Sequence, residues 1–176
     1  MEKGNKINIV MKIFIFVTLA VVSMLLILNS NLLEANKEIR RFEETFGLNL
    51  PKAASVIFSE DTHGARGDGV RLYIYQINSK DMAEFIKQKE LNIWLYLPIN
   101  ETLYAGVLRR INGLSSGKIE YAIRSGLDCK LGYYFIRNRH YIPLKGYDFS
   151  DISYYNIIIG IIDLDKNKIY YYTYDM

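Results

Sequence analysis

From Ile13 to Leu28 every residue except Thr18 and Ser23 is apolar, and no charge falls between Lys12 and Glu34. Few features constrain a chain as strongly. An α-helix rises 1.5 Å per residue and a bilayer core is about 30 Å thick, so about 20 residues from Ile13 to Leu33 are enough to span it. Lys3, Lys6 and Lys12 precede the run, and the first cation after it is Lys37. That asymmetry predicts residues 1–12 as a short cytoplasmic basic tail, residues 13–33 as a transmembrane signal anchor, and an extracytoplasmic remainder. A cleaved secretory signal followed by release is the alternative. Against it, the apolar run is long and no pair of small residues follows at the spacing a signal peptidase reads.

Beyond the apolar run, Leu32, Ala35, Ile39, Phe42 and Phe46 recur at intervals of three and four, so residues 34–47 are expected to continue as an amphipathic stalk helix. Gly47 and Pro51 mark its end. The aromatic face of Phe42 and Phe46 then needs a partner, either the following domain or a second copy of the stalk.

Residues 48–176 suffice for one domain, and the chain's 50% hydrophobic content allows a substantial core. Glu2, Lys3, Lys6 and Lys12 account for +2 of the net charge of +3, leaving +1 for everything after residue 30. The cations there are scattered, which excludes the basic stripe of a nucleic-acid-binding surface. Cys129 is the single cysteine, so no intramolecular disulfide forms. Abundant Ile, Lys, Asn and Tyr match an AT-rich coding sequence, and disulfide-free extracytoplasmic domains are common in Gram-positive bacteria.

Hydrophobic patterning predicts strands at 53–58, 69–77, 91–97, 132–137, 154–162 and 169–174. Helices are expected after Asn78 or Ser79 and after Asn100. The stretch 114–130 is hard to read, although 118–123 has strand character. Together these predict an α+β domain: an antiparallel or mixed β-sheet with about two helices packed on one face.

Residues 60–69 form the most unusual segment. Glu60, Asp61, His63, Arg66 and Asp68 stand beside Gly64, Gly67 and Gly69 in a Gly-rich loop between two strands. Glycines let backbone N–H groups approach a ligand, and His63 flanked by Asp61 and Asp68 can orient a proton or bind a cation. With the other histidine, His140, these residues make a possible Zn²⁺ or Mn²⁺ set of Asp61, His63, Asp68 and His140. Arg139 extends the candidate surface. The plainer reading is a wide turn whose glycines supply positive φ angles. Asp163, Asp165 and Asn167 alternate as in a calcium loop, but Lys168 stands where glycine is needed, so a hairpin turn fits better. Cys129 with His140 lacks a third, orienting residue for thiol catalysis. The 15 tyrosines suit either a half-buried sheet or a carbohydrate or peptide contact face.

Several segments together resemble a family of small membrane-anchored or lipoprotein-like proteins of Gram-positive bacteria. They are Phe42 to Gly47, Asp61 to Gly64 followed by Gly67-Asp68-Gly69, Trp94 with Leu97-Pro98, Gly132 to Phe135 with Arg139-His140, and Ile161 to Tyr172. The family's loop resembles a DTHGGFHGDG pattern, and the resemblance implies no particular activity. Arg66 stands here where the family commonly has a second histidine, which weakens a shared metal site. The expectation is a non-enzymatic, membrane-tethered module that binds a protein, peptide or envelope component through loop 60–69. The alternative is a metal-binding domain or metal-dependent hydrolase.

Overall fold

The computed structural model describes residues 3–64, 68–111, 117–138 and 156–175. The chain divides into two compact units, Met1–Glu44 and Thr45–Met176.

The first unit belongs to helix α1, Lys3–Phe46, whose last two residues fall in the second unit. No proline or glycine interrupts residues 5–46, so nothing in the sequence breaks the backbone ladder. Residues 14–26 are all exposed, and they include Phe14, Phe16, Leu19, Met24 and Leu26, each at least 60% exposed. Among the described residues, no helix is long and apolar enough to cross a membrane. Farther along, Arg40 and Glu44 form an exposed i,i+4 pair at 3.5 Å, and Arg41 bonds Glu38. The helix stops at Gly47, whose φ of +70° is a left-handed conformation that favours glycine.

The second unit is an α+β fold built on a six-stranded antiparallel sheet. Its strands are β1 (Ser55–Asp61), β2 (Gly69–Gln76), β3 (Leu95–Tyr96), β4 (Gly132–Asn138), β5 (Asn156–Asp163) and β6 (Lys168–Asp175). They lie in the order β1-β2-β6-β5-β4-β3. The helices are α2 (Ser79–Phe85), α3 (Glu101–Ile111) and α4 (Gly117–Leu127).

Because strand side chains alternate, the register assigns each residue to a face. Leu72, Tyr172, Ile159 and Ile136 form one cross-strand row, within a core that also takes in Val107 and Ile111 of α3 and Ile119, Ile123 and Leu127 of α4. A Cβ at Gly126 would lie 3.1 Å from both Ile161 and Tyr170, so glycine lets α4 approach the sheet closely. On the opposite face run Tyr73, Tyr171, Gly160 and Phe135. Phe46 and Trp94 cover this row, with the Phe46 ring 5.1 Å from Trp94, 5.7 Å from Phe135 and 5.5 Å from Tyr171. Thr45 and Phe46, the two residues of α1 that belong to this unit, are thus packed into its core. Tyr171 OH lies 3.3 Å from Thr45 Oγ1, and Arg137 donates to the Thr45 carbonyl at 3.2 Å.

Three expectations need correction. Residues 91–97 are not a full strand: Lys89–Ile93 is a 3-10 turn and β3 keeps only two residues. Residues 118–123 are helical, because Ile119, Ala122, Ile123, Gly126 and Leu127 repeat at helical spacing and are buried together. β1 starts later than expected and runs on to Asp61, drawing Glu60 and Asp61 out of the loop and into the sheet. Elsewhere the local signals match the outcome. Asn78 caps α2 by accepting from the Asp81 amide at 2.9 Å, and Asn100 accepts from Leu103 at 2.8 Å before α3. β5 is central and buried along nearly its whole length.

Candidate functional site

The mouth of the β1–β2 hairpin is closed by backbone and side-chain bonds. The Thr62 amide donates to the Val70 carbonyl at 2.8 Å, and the Val70 amide returns a bond to Thr62 Oγ1 at 3.0 Å. Further out, the Gly64 amide donates to the Asp68 carbonyl at 3.0 Å. Gly69 has φ +153°, and a Cβ there would lie 2.6 Å from His63 Cα, so the loop folds over a position where only glycine fits. Gly64 differs, since a Cβ there would meet nothing within 4 Å.

This closure delivers the His63 ring to two carboxylates. Its Nδ1 lies 2.6 Å from Asp61 Oδ1, which also accepts the His63 backbone N–H at 3.0 Å. Its Nε2 lies 3.3 Å from Asp175 Oδ2. The remaining oxygen of Asp61, Oδ2, accepts from Arg71 Nε at 2.8 Å. Sheet register explains the assembly: Asp61 pairs with Arg71 across β1–β2, Arg71 with Thr173 across β2–β6, and Asp175 follows Thr173 on the same face. The His63 side chain is 12% exposed and that of Asp175 17%.

Partial burial by itself raises the Asp61 pKa, but the bonds from the His63 amide and ring and from Arg71 outweigh it and hold the carboxyl below its ordinary value. Both nitrogens of His63 face carboxylates. The arrangement is therefore a clip that ties the hairpin mouth to the end of β6.

Of the expected site residues, Asp61 and His63 are brought into direct contact. Gly64, Asp68 and Gly69 shape the loop, with Asp68 contributing its backbone carbonyl. Arg66, Gly67, Arg139 and His140 lie outside the described residues, and with them the joint set of His63 and His140. Asn138 and Asn156, which bracket 139–155, belong to the sheet end that carries the clip, since Asn138 pairs with Ile157 and Asn156 with Asp175. Among the described residues, no group of three or more His, Cys, Asp or Glu side chains is set to hold a metal ion. Arg71 and Asp175 were not anticipated. The alternation of a hairpin closing on residues 62–69 points to Arg71 opposite Asp61, but nothing local marks Asp175.

Three other candidates resolve into ordinary structure. Cys129 Sγ donates to Asp163 Oδ2 at 3.0 Å, and burial first, then this bond, pushes the thiol pKa up to about 12. A thiol so held is not a nucleophile at neutral pH. Asp163 Oδ1 meanwhile accepts the amides of Asp165 and Lys166 at 3.0 and 3.1 Å, which makes 163–168 a hairpin turn and not a calcium loop. Tyr170, Tyr171, Tyr172 and Tyr174 are buried, so the tyrosine-rich β6 is core and not a contact face.

No family model, curated protein or solved structure matches this chain.

Proposed function

We propose that this chain is a single-pass membrane protein whose C-terminal domain is a non-enzymatic extracytoplasmic binding module. Residues 13–33 form the anchor, the N-terminus stays in the cytoplasm, and the Gly-rich loop 60–69 provides the contact surface for a protein, peptide or envelope component. One observation carries this reading. Phe14, Ile15, Phe16, Val17, Leu19, Val21, Val22, Met24, Leu25 and Leu26 all stand exposed on a single helix. Burying each is worth about 1.5–3 kcal/mol, so water contact on every face costs on the order of 20 kcal/mol. A bilayer removes that cost, and a helix apolar all round suits one. The lysines before the run support the orientation.

The clip supports binding over hydrolysis or metal chemistry, because the His63 ring packs between two carboxylates, Nδ1 at 2.6 Å from Asp61 and Nε2 at 3.3 Å from Asp175.

Two measurements test the proposal together. The full chain is expected to stay in the membrane fraction through alkaline carbonate washing, and its domain to be cleaved by protease added outside intact cells. Release by carbonate, or protection from external protease, would overturn the topology. Crosslinking in intact membranes followed by capture is expected to recover a partner that is lost when residues 64–68 are replaced by a short Ser-Gly linker; recovery unaffected by that change would remove the loop as contact surface.

A further inference from the structure

No further inference is drawn: the strongest candidate, the cluster of buried donors Trp94 Nε1, Arg137 Nε and Thr173 Oγ1 without hydrogen-bond partners among the described residues, carries nothing because nothing in the structure shows what acceptor covers it.

Discussion

His63 Nε2 and Asp175 Oδ2 meet at 3.3 Å across 112 residues of sequence, joining the first hairpin of the domain to its last strand. The contact exists only because β2 pairs with β6, so it reports completion of the sheet. Removing the ring takes away the group that links two partly buried carboxylates. Hydrogen bonds to charged groups are each worth about 1.5–3 kcal/mol, so His63→Ala should lower stability by about 2 kcal/mol. Asp175→Asn, which keeps an acceptor but loses the charge, should cost less. Urea denaturation of the full chain in detergent measures both. A His63→Ala midpoint no lower than that of Lys87→Ala, an exposed control, would show that the clip contributes nothing to stability.

The charge on Asp61 gives this clip a pH signature. Its folded pKa is depressed by the His63 and Arg71 bonds, so the unfolded chain takes up a proton first as pH falls. The stabilisation is complete above the unfolded value of about 3.9 and disappears as pH falls through the lower folded value. The stability difference between the native chain and Asp61→Asn should therefore be constant near pH 7 and shrink below about pH 4. Denaturation curves over pH 2.5–7, a range of about four units around that value, test this. A difference that stays constant to the acid end would remove the bonds as the source of the depressed pKa.

Where physics is local, the sequence was readable. The caps Asn78 and Asn100, the stop at Gly47 and the buried run of β5 all depend on residues within a few positions of one another. Misreadings arose where tertiary context decides. Apolar residues 91–97 read as a strand, but Leu91 is buried within a 3-10 turn and Trp94 at its end, leaving only two residues to pair at the sheet edge. In 118–123 the short window hid a helical period that becomes plain only when Gly126 and Leu127 are included. The candidate site was half legible. Asp61 and His63 are two residues apart and declare themselves, whereas Asp175 is recruited through strand order, which no local pattern encodes.

Cys129 should behave as a core donor. With its pKa near 12, far above the ordinary thiol value of about 8.5, it stays protonated in the folded chain under conditions where an unfolded chain ionises. The native protein should resist maleimide at pH 8 and react once denatured. Stability from this site is fully present below about pH 8.5 and is lost as pH rises toward the folded value. Cys129→Ser retains a donor to Asp163, whereas Cys129→Ala leaves Asp163 Oδ2, at a site 1% exposed, with only the longer ion pair to Lys166 Nζ at 3.8 Å. The alanine variant should therefore be the less stable, by about 1–3 kcal/mol relative to the native chain. Rapid native labelling at pH 8 would contradict the burial that raises the pKa.

Gly160 tests how the end of α1 is seated. A Cβ at this position would lie 2.4 Å from Trp94 Cη2 and 2.9 Å from Phe46 Cζ, so both rings rest directly on the strand backbone. Gly160→Ala must push Trp94 off that surface, and overpacking of this kind costs about 1–3 kcal/mol. Phe46→Ala instead empties the space among Trp94, Phe135 and Tyr171 and should cost about 3–5 kcal/mol. The two changes act on the same packed cluster, so their combination should cost less than the sum: with Phe46 truncated, Trp94 gains room to move away from the new methyl. Strict additivity in a double-mutant cycle, read by Trp94 fluorescence during denaturation of the full chain, would mean that Phe46 and Gly160 do not share this contact.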